Sequence, residues 1–384
     1  MIQTFLGYRR ENGAVGVRNC VAVISVMDNC NPATRAIAQA VNGCIPITTL
    51  FVRGQFGADL DFTFESLAGL GRNPNIAAVL LVGLEPSSTE EVARRIRSTG
   101  KPVEAVHLQP DGTINCIADG TRRAARLALG ASKARREPCP VSELIIGVEC
   151  GGSDTTSGLS CNPTIGRMAD HLIEAGATVI ISETSEFIGA DHLFAARAID
   201  DSVRKAFVEA VRNMENGAIS RGVDMREAQP SPDNKRGGLT TVEEKALGAM
   251  AKAGSTPLVG VLGYGEAPKR KGLHFMDAPA AAVENLTAMA ASGCQLIFFG
   301  TGVGNPIGNT IAPTVKVCGN LNTVRTMADN IDFDVSAILE AGMKISALGD
   351  QLFEYAMDVA SGTQLTSEVL NVREIAISRF ERSL

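Results

Sequence analysis

The sequence predicts an α/β protein of two doubly wound domains with largely parallel sheets. Short apolar runs alternate with amphipathic segments of about 10 to 15 residues, the pattern of βαβ units whose helices cover both faces of a parallel sheet. At 384 residues the chain exceeds what one core usually supports, and its 45% hydrophobic content can fill two. A charged stretch with two prolines at 132–140 (SKARREPCP) lacks periodicity and reads as a linker. It divides the chain into an N-terminal domain, 1–136, and a C-terminal domain, 137–384.

Taken in order, the first domain holds a strand at 21–26, a helix from about residue 33, a strand at 45–51 and a helix from about residue 60. A strand at 77–82, a helix after Ser88, a strand at 103–107 and a helix over 114–129 complete it. The second domain opens with a strand at 144–149, a helix at 163–175, a strand at 178–181 and one or two helices over 190–215. After a polar excursion at 217–238 come a helix at 241–253, strands at 258–262 and 273–276, and a helix from residue 280. A strand at 295–299, a glycine-rich loop, a strand at 314–317 and a long helical region end the chain.

Composition narrows the function. A formal charge of -6 gives no general cationic field for a phosphate backbone, so nucleic acid is not an expected partner. No run reaches the roughly 18 apolar residues that span a bilayer, and residues 1–10 lack the charged-then-apolar order of a signal peptide, so the expected location is the cytoplasm. The nine cysteines have no zinc-type or disulfide-type spacing and read mostly as small buried hydrophobes. With no Trp and 39 Gly, the chain suits a ligand held by loops and backbone amides.

Ligands of open α/β sheets bind beyond the carboxyl ends of the strands, which directs attention to the loops there. The first, Glu149-Cys150-Gly151-Gly152-Ser153-Asp154, offers two glycines for close backbone approach and a thiol, a hydroxyl and a carboxylate; its plainer reading is a capped strand-to-helix turn. The second, SETSE at 182–186 with Asp191 and His192 after it, crowds Glu183, Glu186 and His192 where they could move a proton or bind a cation; helix capping is the plainer reading. His107 and His274 lie in apolar runs and read as core, and His171 lies on a helix. The third loop, 300–309, carries Thr301, Gly302 and Asn305. Its proline and the strand after it disfavour a nucleotide cofactor, and with Lys316 it suits a carboxylate or polyol. A fourth segment, 229–241, brings Lys235 and Arg236 and leads to a helix capped by Thr240 or Thr241, with Lys245 on it.

Five strings carry a resemblance: GYRRENGAVGVRN, GVECGGSDTTSG, SETSEFIGADH, NKRGGLTTVEEKALG and IDFD. The chain resembles the altronate and galactarate dehydratase family, which also contains the large subunit of sulfolactate sulfo-lyase. The resemblance implies elimination of water, or in one branch sulfite, from a small anionic 2-hydroxy acid to give a 2-oxo acid through an enol. It also implies a divalent metal, iron(II) or manganese, for which Cys150, Asp154 and Glu183 are the candidate ligands. Cys150, Asp154, Glu183, Glu186, His192 and Lys245 are the expected catalytic set. Arg53, Gly151, Gly152, Ser153, Lys235, Thr301, Gly302, Asn305 and Lys316 are the expected substrate contacts.

Larger relatives carry an extra N-terminal domain. Here the chain begins at the dehydratase core, so a small partner subunit is expected to supply it, and further copies of the chain are a second expected partner. Where relatives place cysteines, this chain has Asn29 beside Cys30, Arg53 and Pro86, and a Gly-Arg-Gly-Thr-Pro loop becomes Gly302-Val303-Gly304-Asn305-Pro306. The first reading is a hydro-lyase for a sugar acid such as altronate or galactarate, and the runner-up is the sulfo-lyase large subunit. A non-catalytic ligand-binding relative is the reading of another class. Arg53, read as leaving a strand end, is expected in the Cys150 cleft, holding a carboxylate or sulfonate; the competing expectation pairs it with Asp59 or Asp61.

Overall fold

The computed structural model describes residues 3–380. Two parallel sheets dominate it. The smaller has the order β4-β3-β5-β6, formed by β3 (Cys20–Ser25), β4 (Cys44–Ile47), β5 (Ile76–Gly83) and β6 (Val103–His107). The larger has the order β10-β11-β9-β8-β12-β13-β14. It comprises β8 (Ile145–Cys150), β9 (Thr178–Ile181), β10 (Leu258–Leu262), β11 (Gly272–Met276), β12 (Leu296–Thr301), β13 (Thr314–Cys318) and β14 (Phe333–Asp334), all parallel. β5 and β12 are apolar along almost their whole length because helices bury both of their faces.

A third sheet was not legible in the sequence. β1 (Thr4–Arg9) lies between β2 (Val15–Gly16) and β7 (Glu137–Pro140), antiparallel to both. The stretch read as a linker is therefore partly a strand, with Phe5 opposite Cys139 and Leu6 opposite Pro138. Two prolines are tolerated because β7 is an edge strand, where a missing amide donor costs no ladder bond on the open side.

The two parallel sheets share one apolar cluster. Ile24, Leu67 and Val79 from the first half join Ile180, Ile297 and Phe299 from the second. Helix Gly57–Arg72 packs on helix Ala282–Ala291 closely enough that a Cβ on Gly69 would stand 2.7 Å from the Ala291 carbonyl oxygen. Asn73 donates to the carbonyls of Ala290 and Cys294 at 2.8 and 2.9 Å. Asn75 donates to those of Gln295 and Ile311, both at 2.8 Å, and accepts from the Val17 amide at 2.8 Å. These buried amides match backbone groups that would otherwise lose water unpaired. Among the described residues no helix is long and apolar enough to cross a membrane.

The larger sheet has a switch point at its centre. β8 is flanked by β9, on whose side the chain crosses to the edge at β10 and returns inward through β11, and by β12, from which it winds through β13 to β14 at the other edge. The connections from β8 and β12 thus run to opposite sides, the arrangement at which open α/β sheets form a ligand crevice beyond the carboxyl ends of their strands.

Candidate active site

At that crevice the loop after β8 meets the loop after β9. Glu183 follows Ile181 by two residues and takes a left-handed backbone with φ 72°, a strained conformation for a residue with a side chain. The turn brings its carboxylate back to β8, where Oε2 accepts from the Cys150 amide at 3.2 Å. Lys252 lies 2.7 Å from the same oxygen and donates to Cys150 Sγ at 3.2 Å. Lys252 is fully buried and Cys150 and Glu183 nearly so.

Two glycines make room for this lysine. Lys252 belongs to a tight turn, Ala251–Ala253, packed on helix Asn162–Glu174. A Cβ on Gly166 would stand 2.1 Å from the Ala251 carbonyl oxygen. Gly254 then leaves the turn at φ +64°, a conformation open to glycine at little cost.

The electrostatics follow from burial. Desolvation pushes the Glu183 carboxyl up to about 7, against the pull of the Lys252 charge. Burial alone would lower Lys252, but Cys150 and Glu183 beside it raise it above the usual lysine range. Burial and then the neighbouring Glu183 lift the Cys150 thiol to about 11, so it stays protonated at neutral pH. A second ion pair lies nearby: Lys245 stands 3.0 Å from Glu186 and donates to Gln229 at 2.6 Å.

Asp154 closes the turn and also borders open space. Its Oδ1 accepts from the Thr156 hydroxyl at 2.6 Å and the Ser157 amide at 3.1 Å, and its Oδ2 accepts from Asn320 at 2.8 Å. With Ser153, Asn162, Leu239, Lys245 and Leu247 it lines a cavity of about 260 Å³. The polar segment before Thr241 packs onto this loop, Asn234 donating to the Ser153 carbonyl at 2.9 Å. Lys235 itself is exposed. Thr241, not Thr240, caps helix Val242–Met250 by accepting from the Glu244 amide.

Gly151 and Gly152 couple the β8 loop to the β12 loop. The Gly151 amide donates to the Gly300 carbonyl at 3.0 Å, and the Gly152 carbonyl accepts from the amides of Gly302 and Val303 at 3.0 and 2.9 Å. Gly302 must lack a side chain, since a Cβ there would stand 2.1 Å from Asp154 Oδ1. Thr301 and Asn305 shape the same loop, accepting from the amides of Gly304 at 3.1 Å and Ile307 at 3.0 Å. Lys316 is buried on β13 with its ammonium 4.7 Å from the Phe299 ring centroid.

Two expected site residues lie elsewhere. Arg53 is exposed and borders a hollow of about 350 Å³ with Met27, Gln55, Phe56 and Ser87, which no residue of the Cys150 loop lines. The strand before it stops at Ile47 instead of running to residue 51, and Val52 at φ 124° turns the chain aside. The pairing with Asp59 or Asp61 is not formed either: Asp59 accepts from Gln55 and from the Phe380 amide, and Asp61 pairs with Arg95. His192 is exposed on the short helix Asp191–Ala195, whose inner side is occupied by Phe194, its ring tilted against that of Phe187. His171 pairs with Asp350 at 2.6 Å, and His107 bonds Thr89 at 2.7 Å.

Cys150, Asp154 and Glu183 do not fit a metal ion as they are arranged. Both oxygens of Asp154 are engaged, one within the turn and one by Asn320, and the Lys252 ammonium already sits against Cys150 and Glu183. Among the described residues no group of three His, Cys, Asp or Glu side chains is placed to hold one. Lys252 was missed in the sequence because a lone lysine near a helix end resembles an ordinary solvated cation there. Its only signal is the apolar company of Met250, Ala251 and Ala253.

Known sequences place the chain in a family. Residues 7–132 match the second domain of D-galactarate dehydratase/altronate hydrolase, and residues 141–383 match the C-terminal domain of D-galactarate/altronate dehydratase. The chain belongs to this dehydratase family. A relative described as (2R)-sulfolactate sulfo-lyase subunit beta, from Chromohalobacter salexigens, is 46% identical across 99% of this chain and 98% of its own length. An altronate dehydratase of Bacillus subtilis is 32% identical over 98% of this chain and 77% of its own. A galactarate dehydratase (L-threo-forming) of Escherichia coli is 32% identical over 94% and 74%. The family's members are lyases, and its shared sequence spans both parallel sheets of this fold.

Proposed function

We propose that the chain is the large subunit of a lyase that expels sulfite from 3-sulfolactate to give pyruvate, acting with a small partner subunit. The carrying observation is the match at 46% identity running end to end in both chains, whereas the dehydratases extend beyond it. In this reaction the proton leaves C2, next to the carboxylate, and sulfite departs from C3 with the bonding electrons of its carbon–sulfur bond. The resulting enol becomes the 2-oxo acid when C3 gains a proton and the hydroxyl loses one.

Glu183, lifted to about 7, is suited to take the C2 proton near neutral pH. The fixed charge of Lys252 beside it favours the negative charge that develops on the carboxylate as the proton leaves. A second reading, a hydro-lyase for altronate or galactarate, is favoured by the 32% matches covering almost the whole chain, since loss of water from C3 follows the same proton abstraction.

The test is a panel of 3-sulfolactate, altronate and galactarate, with the full chain alone and with a co-expressed small subunit, reading sulfite and 2-oxo acid. Equal yields of sulfite and pyruvate from sulfolactate are expected, chiefly with both subunits present. Turnover confined to sugar acids would overturn the sulfo-lyase reading in favour of the hydro-lyase.

A further inference from the structure

One row of the larger sheet carries two charged groups that lack a hydrogen-bond partner among the described residues. Phe299 on β12 is in register with Glu149 on β8 and with Lys316 on β13, so the three side chains stand abreast on one face. Glu149 is fully buried and Lys316 is 1% exposed. Neither carboxylate oxygen of Glu149 nor the ammonium of Lys316 has a hydrogen-bond partner. Elsewhere the buried charges are matched: Lys252 meets Glu183 and Cys150, and Lys101 donates to three carbonyls at the end of a helix.

The row lies directly beneath the site loops. A Cβ on Gly151 would stand 2.7 Å from the tip of the Phe299 ring and 3.3 Å from the Asn305 amide nitrogen. The row next nearest the strand ends holds Cys150 and Gly300. Groups so placed, on the two strands flanking the Phe299 ring and lacking hydrogen-bond partners, are poised for a ligand that brings both a donor and an acceptor.

We propose that Glu149 and Lys316 together read the 2-hydroxycarboxylate end of the substrate, Lys316 donating to a carboxylate oxygen and Glu149 accepting from the neighbouring 2-hydroxyl. The choice of ligand rests on the elimination reading above. In a 2-hydroxy acid the two functions sit on adjacent carbons, which suits a donor and an acceptor separated by one strand. Burial lowers Lys316 to about 8 despite the nearby Asp332 and Glu149, and it holds Glu149 well above the usual carboxylate range. Protonated or not, the carboxyl keeps an oxygen that can accept. Glu149 and Lys316 are thus specificity-determining residues, while Glu183 remains the proton acceptor.

The test is calorimetric binding of 3-sulfolactate and of 3-sulfopropionate, which lacks the hydroxyl, to the chain alone and to the chain co-expressed with its small subunit. The wild type should prefer sulfolactate by roughly 10- to 100-fold. Glu149→Leu should erase that preference with 3-sulfopropionate affinity retained, and its thermal midpoint should equal or exceed that of the wild type, because an unpartnered buried carboxyl has been removed. Lys316→Met should weaken both ligands. If the leucine variant does not fold, Glu149→Gln, which fills the same space with a weaker acceptor, should lose the preference several-fold. A wild type without hydroxyl-dependent binding, or a Glu149 variant that discriminates as the wild type does, would overturn the proposal. Because the readout is binding, missing sulfite release with intact discrimination would sink the reaction and leave the pair standing.

Discussion

Asp154 illustrates how one side chain can border a cavity and still be needed mainly for shape. Three donors from the turn and Asn320 converge on its two oxygens. An asparagine keeps only one acceptor oxygen and would turn an amide donor toward either Asn320 or the Ser157 amide. Asp154→Asn should therefore lower stability by about 1–3 kcal/mol, measured by urea unfolding. An unchanged unfolding midpoint with weakened ligand binding would return Asp154 to a purely functional role. The sequence made Asp154 visible because polar residues after a strand attract notice. It did not make Lys252 or the isolation of Glu149 visible, since both depend on which residues fold against them. Arg53 was misplaced for a related reason, since a polar residue just past an apolar run faces the crevice only if the strand runs as far as that run, and β4 stops at Ile47. His192 was misplaced because the short helix that follows β9 buries Phe194 and leaves His192 exposed.

At the scale of elements, the site depends on close packing between helix Asn162–Glu174 and the turn Ala251–Ala253. Gly166→Ala would place a methyl 2.1 Å from the Ala251 carbonyl oxygen, so the turn must move and carry Lys252 away from Glu183. The expected cost is about 1–3 kcal/mol of stability, with turnover falling far more than the folded fraction at the assay temperature. Wild-type turnover in a stably folded Gly166→Ala protein would contradict this coupling. Elements with strong periodicity were legible to within a few residues: β9 and β6 coincide with their apolar runs. β1 and β7 escaped because neither TFLGYR nor EPCP is a continuous apolar run, and each is set by pairing with a segment distant in the chain. The polar excursion at 217–238 hid the small helices Met225–Ala228 and Pro232–Arg236, which are too short to show a period.

For the whole molecule, the two parallel sheets unfold as coupled units if the buried asparagines between them matter as the geometry implies. Asn75→Ala would strand the Val17 amide and the carbonyls of Gln295 and Ile311 away from water. A loss of about 2–4 kcal/mol follows from unpaired groups of this kind, visible as an earlier urea midpoint monitored by circular dichroism; a change under about 0.5 kcal/mol would contradict it. The two-sheet α/β architecture was legible because alternating apolar runs survive any register. The crevice at the β8 switch point was legible only as a set of loops, because strand order is not written in local sequence.

In the proposed reaction Glu183, ionised and held beside Lys252, takes the substrate proton. Its pH dependence tests this most directly. Burial raises the folded-state carboxyl to about 7, so the base is protonated and inactive below that value and ionised above it. The kcat/KM for sulfite release from 3-sulfolactate should rise with pH through an apparent pKa near 7 in the wild type. Glu183→Gln should lose that rising limb and fall by roughly 10²- to 10⁴-fold. A Glu183→Gln enzyme that keeps both the wild-type rate and the rise through pH 7 would show that another group takes the proton.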